Sequence, residues 1–362
     1  MDKKLLDLYS DYLLASCGPV TATGLSELVD YKLSHDQITR FLSGPAPTAK
    51  AWWLLVKPLV RRVQSEEAVL IIDDTIIEKP YTDENDIVCW HFDHSKGRNV
   101  KGINVVSALY RAGELSLPVA FETVEKTEWK GPDEEGRLTR HAKETKNEQL
   151  RRMAQTAAQT NRLPFAYVVA DAWYASKENM VFIKAELGRD FVMPLKSNRK
   201  VALSLKDKLA GRWRKVDALT YQENTTRQVW LEGVDFPLLL ARQVFTNADE
   251  SQGILYLVSS NTSALAYEAL TAIYKKRWKV EEYHKSLKQN AAAAKSPTRT
   301  PATQSNHLFC CLHAFVKLER IQAAATLNHF AIKARIYHAG LKKMFSHLRS
   351  LPSASLDTLA TA

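Results

Sequence analysis

Over the first 67 residues, apolar positions recur at helical spacing. Leu5, Leu6, Leu8, Tyr9, Leu13 and Leu14 roughly follow one stripe. A second pattern runs from Thr23 to Asp30, breaks, and resumes from Ser34 to Leu42. Ser34 followed three residues later by Gln37 is a capping-box start, and Gly44-Pro45 is a stop. Two short helices at this spacing fit a helix-turn-helix reader of DNA, with Gln37 and Arg40 exposed on the second helix. They equally fit a plain helical hairpin. Ala51 to Val63 then predicts an amphipathic helix carrying Trp52, Trp53 and Leu55.

From residue 68 the texture changes. Val69-Leu70-Ile71-Ile72 is an apolar run of the buried-strand type. Ile103 to Tyr110 and Leu115 to Val124 predict two more strands, joined by the turn signal Arg111-Ala112-Gly113. Glu125 to Lys146 is a polar loop, and Glu148 to Asn161 a helix. Phe165 to Ala170 is a fourth strand, Lys177 to Leu187 a helix, and Phe191 to Met193 a fifth strand. Three antiparallel strands, then helix, strand, helix and strand, resemble an α/β fold with an RNase H-like mixed five-stranded sheet. Residues 197–260 break that rhythm with four further strand patterns (Trp213 to Tyr221, Gln228 to Leu231, Phe236 to Phe245, Ile254 to Ser259), a β-rich insertion. Helices from Ala264 to Gln289, Thr303 to Thr326 and His329 to Leu348 complete the chain. The organisation expected is an N-terminal helical domain (1–67), an RNase H-like domain in two pieces (68–196 and 261–326), the insertion (197–260) and a basic C-terminal helical region and tail (327–362).

Composition narrows the class. The chain of 362 residues has 45% hydrophobic and 25% charged residues, an ordinary globular balance with a sizeable core. No stretch approaches the ~20 apolar residues of a membrane span, and Cys17, Cys89, Cys310 and Cys311 show no CxxC pairing, so neither a disulfide framework nor a structural zinc is indicated. Cys89-Trp90-His91 with Asp93-His94 crowds potential ligands on one short edge without a second cluster to complete a tetrahedron. The net charge is +10, and it is unevenly placed. Between Lys275 and Arg349 there are 15 basic and three acidic residues, whereas the rest of the chain nets −2. That segregation points to a polyanionic partner, nucleic acid above all, in a reducing intracellular setting. The basic, glycine-containing loop from Ser95 to Lys101, with Arg98 and Lys101, is a further candidate DNA contact.

Three acids stand where chemistry would need them. The first strand ends in Asp73-Asp74-Thr75, the fourth in Asp171-Ala172-Trp173-Tyr174, and the last long helix carries Glu281-Glu282. Strands one and four are neighbours in such a sheet, and a helix across it can bring a third carboxylate beside theirs. Carboxylates so close repel unless a cation sits among them, and hard oxygen donors suit Mg²⁺. On a continuous helix Tyr274, Arg277, Glu281 and Lys288 fall within a face ~60° wide, an acid flanked by cations with a phenol at one end.

The segment Tyr274 to Lys288 resembles the Y-(2)-R-(3)-E-(6)-K signature of bacterial DDE transposases, the cut-and-paste insertion-sequence enzymes of the IS-four-like clan in the retroviral-integrase superfamily. All four spacings match, as does the R-W-x-x-E-E-[FY]-H-K context. Strand periodicity leaves open which of Asp73 and Asp74 is the first acid; the resemblance, with the acid directly before Thr, assigns it to Asp74. It implies Asp74, Asp171 and Glu281 as the catalytic, metal-binding triad holding two Mg²⁺ ions, for which Mn²⁺ substitutes. It further implies Tyr274, Arg277, Lys285, Lys288, Lys196 and Arg199 as contacts to DNA. Relatives that cut through a hairpin hold an unstacked base against an aromatic of the insertion, for which Tyr256 and Trp230 are the candidates.

The function these features imply is excision and strand transfer of an insertion sequence by two-metal phosphoryl transfer. The partners would be double-stranded DNA, as terminal inverted repeats and target, and a second copy of the chain in the DNA complex; the location would be the bacterial cytoplasm, at the nucleoid. Two alternatives stay open, an RNase H-like nuclease or resolvase without strand transfer and a domesticated sequence-specific DNA-binding protein.

Overall fold

The structure is a computed structural model that describes residues 2–132, 136, 138–247, 249–263 and 265–351. Residues 352–362 of the C-terminal tail, and Ala264 at the expected start of a helix, lie outside the described residues. Four helices come first: α1 (Lys3–Ala15), α2 (Ala22–Leu28), α3 (His35–Leu42) and α4 (Ala49–Val63). Strands β1 (Val69–Glu78), β2 (Val88–Asp93), β3 (Arg98–Ala112) and β4 (Leu115–Thr123) follow, then a small hairpin of β5 (Glu128–Lys130) and β6 (Thr139–His141). Next come α5 (Lys146–Gln155), β7 (Tyr167–Ala170), α6 (Lys177–Val181) and β8 (Asp190–Leu195). The expected insertion holds β9 (Lys200–Ala202), α7 (Leu205–Leu209), β10 (Arg214–Lys215), β11 (Thr226–Leu231), β12 (Leu238–Thr246) and β13 (Gln252–Ser259). The chain ends in α8 (Tyr267–Lys275), α9 (Trp278–Gln289), α10 (Pro301–Ala325) and α11 (His329–Ser350).

The apolar start of β1 makes it the central strand, buried on both faces from Val69 to Ile72. It pairs antiparallel with β3 and parallel with β7, which in turn runs parallel to β8. This mixed α/β arrangement, a large mixed sheet with flanking helices, is compatible with an RNase H-like fold. The sheet is larger than the five strands expected. β13 docks antiparallel on β8, with Leu257 opposite Pro194, and the strands before it continue outward, giving eleven strands in one sheet. The strands of 200–259 therefore extend the central sheet and cover what would be its open edge.

Two local expectations are corrected. Trp213 to Tyr221 is not a strand: β10 covers two residues and a 3₁₀ turn follows at Val216–Ala218. Its buried anchors, Val216 and Leu219, are three apart, the wrong period for a pleat. The helix expected as continuous to Gln289 breaks into α8 and α9 at Lys276-Arg277. There Lys276 N–H reaches Ile273 O at 3.1 Å, Arg277 N–H reaches Tyr274 O at 2.9 Å, and Val280 N–H reaches Arg277 O at 2.9 Å. The tighter i to i−3 pattern shifts the two halves relative to one another.

The N-terminal helices share the core of the sheet. Trp52 of α4 is fully buried, donates from its indole nitrogen to Pro118 O at 2.8 Å, and meets Phe121 and Phe309 edge-on. Asn306 of α10 donates to the carbonyls of Leu42 and Gly44 at 2.9 and 2.8 Å. Much of the C-terminal positive charge works here too: Lys317 pairs with Asp7 and Asp11, and Lys295 donates to Cys17 O. No helix among the described residues is long and apolar enough to cross a membrane. Because one core spans both regions, Trp52→Ala should cost about 3–5 kcal/mol and shift a single cooperative urea transition. A separate early transition for the N-terminal helices would contradict a shared core.

Candidate active site

Asp73 and Asp74 are consecutive on β1, so their side chains leave the strand in opposite directions. Asp73 lies across from Ser107, whose Oγ is 3.0 Å from the Tyr283 hydroxyl of α9, and so faces that helix. There Arg277 Nη1 donates to Asp73 Oδ2 at 3.0 Å and to Glu281 Oε1 at 3.3 Å. Asp74 turns toward α5, where Lys146 Nζ donates to its two oxygens at 2.8 and 3.0 Å. The Tyr174 hydroxyl donates to Asp74 Oδ1 at 2.8 Å. Pairing of β7 with β1 ends at Ala170, opposite Ile72, so the edge of β1 is open beyond that point. Asp171, the next residue, accepts the Trp173 backbone N–H on Oδ1 at 2.9 Å. A cavity of about 520 Å³ fills this notch, lined by Asp73, Asp74, Asp171, Glu281, Arg277 and Lys288.

The charges in the notch do not cancel. Burial, with the charge of Asp171 behind it, pushes the Asp73 carboxyl up to about 8 against the pull of Arg277. Asp171 is also raised, by burial and by the charge of Asp74. Asp74 goes the other way: burial opposes its ionisation, but Lys146, Tyr174 and Asn104 together hold it below the ordinary carboxylate range. His284 on α9 lines the same cavity, is kept neutral by burial with its pKa pushed down to about 3, and leaves Nε2 without a hydrogen-bond partner. Among the described residues, no three His, Cys, Asp or Glu side chains already converge as a metal cage. Arg277 and Lys146 instead hold the carboxylates as counter-charges. The donor set itself, carboxylate oxygens whose ionisation the surrounding cations only partly compensate, fits a hard divalent cation.

The sequence-predicted residues divide. Asp74, Asp171, Glu281, Arg277, Lys285 and Lys288 meet at the cavity, and Asp73 joins them. Tyr274 stands one step back, half-buried beside a neighbouring cavity, with Arg277 over its ring at 5.8 Å. Lys196 is exposed near the ring of Trp173 at 6.0 Å. Arg199 is partly buried and donates to Ala175 O at 3.0 Å, bracing the loop after Asp171. Arg98 and Lys101 sit at the start of β3, opposite Asp93 and Trp90 of β2, on the hairpin whose tip reaches the cavity. Gln37 and Arg40 are away from the cavity on α3; Gln37 closes its capping box, and Arg40 Nε donates to Asp36 O at 3.4 Å. Tyr256 is buried, with Tyr221 at 5.5 Å between ring centroids, and Trp230 pairs opposite Ala202, so neither lines the notch.

Two residues that pattern reading missed, Lys146 and Phe92, and a third weighed there only as a metal ligand, His94, shape the notch. Lys146 is the first residue of α5, where the helix dipole disfavours a cation; its placement makes sense only through Asp74. That mismatch was the one signal available. Phe92 and His94, at the tip of the β2–β3 hairpin, meet Trp173 in an aromatic lip: centroids are 4.9 Å apart for Phe92–His94 and 5.6 Å for His94–Trp173. Phe92 and Trp173 are 53% and 48% exposed on a wall otherwise rich in charge.

A family model described as DDE superfamily endonuclease matches residues 2–235, more than half of the chain. The matched stretch carries Asp73, Asp74, Lys146 and Asp171 and ends before α8 and α9. No curated protein matches the chain.

Because Asp73 binds its proton more tightly in the folded chain than unfolded, its ionisation erodes stability as pH rises from about 4 to about 8. In metal-free buffer, the stability advantage of Asp73→Asn over the wild type should grow by ~2–4 kcal/mol between pH 5 and pH 8 in urea unfolding. A gap that does not change with pH would contradict a buried, uncompensated carboxyl.

Proposed function

The chain belongs to the DDE superfamily endonucleases, and from that premise we propose that it is a cut-and-paste DNA transposase of the IS-four-like clan. The observation that carries this reading is the meeting of Asp73, Asp74, Asp171 and Glu281 with Arg277 and Lys288 around one cavity. DDE endonucleases ordinarily act with divalent metals. Asp73, Asp171 and Glu281 are the residues we assign to hold them, Mg²⁺ with Mn²⁺ as substitute. A bound pair of such ions would supply charge neutralisation for an in-line phosphoryl transfer.

In this proposal the first acid is Asp73 rather than Asp74, the residue that motif resemblance favours. Asp73 shares Arg277 with Glu281 and has its ionisation opposed by burial and by Asp171, whereas Asp74 is already paired with Lys146 and hydrogen-bonded by Tyr174. Asp74 then acts as a positioning residue that fixes Lys146 at the cavity wall. Arg277 has two duties: it bridges Asp73 and Glu281 in the free protein, and its guanidinium offers a planar donor to a phosphate entering the notch. Lys288 and Lys285 add charge along the same helix, so DNA would approach over α9. Water attacks the phosphodiester at the element's end, the 3′ oxygen leaves, and that 3′-OH then attacks target DNA. Two ends require two active sites, hence a homodimer on DNA.

The aromatic lip gives the strand a second hold. A half-exposed Trp173 beside Lys146 and Lys196, with His94 against its ring, offers a stacking surface for an unpaired base next to the scissile phosphate, the task first assigned to Tyr256 or Trp230.

Cleavage of end-bearing DNA should fall by at least ~100-fold in Asp73→Asn, Asp171→Asn and Glu281→Gln with DNA affinity retained, while Asp74→Asn keeps measurable activity. Full activity in Asp73→Asn with none in Asp74→Asn would return the first-acid role to Asp74. A joined product from pre-cut ends separates transposition from simple hydrolysis; hydrolysis alone favours the nuclease alternative. Trp173→Ala should weaken binding of DNA with an unpaired base at the cut by ~5–100-fold without altering the salt slope. A changed slope would make Trp173 a phosphate-side residue instead.

A further inference from the structure

The grip on Asp74 is itself held from behind. Lys146 and Tyr174, which both donate to Asp74, come from different elements: the first turn of α5 and the loop that follows Asp171. One side chain bonds to both. Asn179, in the first turn of α6, is fully buried and donates from Nδ2 to Asn147 Oδ1 and to Tyr174 O, each at 2.9 Å. Its Oδ1 accepts Arg151 Nη1 at 2.7 Å. Asn147 follows Lys146 in the chain, and Arg151 lies one turn further along α5.

These partners demand an amide. Arg151 can only donate and the Tyr174 carbonyl can only accept, which fixes the orientation of the Asn179 side chain. Aspartate lacks the two N–H groups, and an apolar residue would leave the Tyr174 carbonyl without this partner in the interior. The Asn179 backbone N–H donates to Ser176 Oγ at 3.1 Å, which pins the start of α6 as well. Asn179 itself does not line the cavity. Lys146, by contrast, sits where the helix dipole opposes a cation, so its hold on Asp74 depends on how the first turn of α5 is placed.

We propose that Asn179 is the positioning residue that locks Lys146 and Tyr174 onto Asp74 and so reserves divalent cation for the α9 side of β1. The lock stands on contacts of the free protein; only its consequence for metal rests on Asp73 being the first acid.

Trace labelling of the full chain with acetic anhydride, without metal, reads the lock through the reactivity of Lys146. In Asn179→Ala that labelling should rise by ~3–10-fold, the worth of one to two hydrogen bonds. Lys184, which pairs with Asp190 from the π-helical turn Phe182–Glu186 just after α6, should keep its wild-type rate. Should Asn179→Ala fail to fold, Asn147→Ala decides: it removes one bond at a half-buried position and should raise Lys146 labelling in the same direction. An unchanged Lys146 rate, or a rise that Lys184 shares, overturns the lock. Free Mn²⁺ followed by electron paramagnetic resonance tests the consequence. Asp73→Asn should bind Mn²⁺ at least ~10-fold more weakly than the wild type, and adding Asn179→Ala or Asn147→Ala should restore part of that affinity through Asp74. Double variants that bind no better than Asp73→Asn overturn the reservation of metal. A wild type that binds no Mn²⁺ counts against the function proposed above, and the labelling alone then decides the lock.

Discussion

Burying a carboxylate without a full counter-charge is costly, and the notch beyond β7 contains more than one. Asp171 lies close enough to raise the proton affinity of Asp73, and Asp74 that of Asp171, while Arg277 and Lys146 offset only part of the charge. The surrounding elements exist in a relation that keeps this imbalance in place. β1 carries two acids to opposite faces, the early end of β7 opens the edge between them, and the break between α8 and α9 sets Arg277 at the top of a new helix beside Glu281. A fold selected only for stability would replace Asp73 with an apolar or amide side chain. Its retention is the signature of a site that recruits positive charge from elsewhere.

The scaffold around the notch is correspondingly overbuilt. The sheet runs on through β13 to β10, and the four N-terminal helices bury Trp52 into the same core as α10. Each carboxylate therefore sits on an element braced on two sides, which keeps repelling groups from relaxing apart. At the β2–β3 hairpin tip and in the Trp173 loop, aromatic rings reach solvent.

Much of this was legible in the sequence, for identifiable reasons. Val69 to Ile72 reads as a buried strand because nothing polar interrupts it, and Asp171 declares itself by ending another such run. The Ser34–Gln37 box names a helix start because its two hydrogen bonds are local. What failed to read was what depends on distant partners. A period of two says that Asp73 and Asp74 diverge but not which meets α9. Lys146 finds Asp74 across 72 positions. The break at Lys276-Arg277 is silent because both residues keep helical dihedrals. The strands of 200–259 looked like a separate unit because edge pairing with β8 leaves no mark on local pattern. The basic excess read as one nucleic-acid surface, yet Lys317, Lys333 and Lys295 spend their charge tying α1 and its flanking chain to the body.

The central claim is that the notch is built to be completed by divalent cation on the α9 side of β1. Anomalous diffraction from crystals soaked in Mn²⁺ tests it most directly. The account predicts a peak bounded by Asp73, Asp171 and Glu281, with Arg277 displaced from Asp73 and Lys146 still on Asp74. A peak held by Asp74 in place of Lys146, or an empty notch at saturating Mn²⁺, would contradict it.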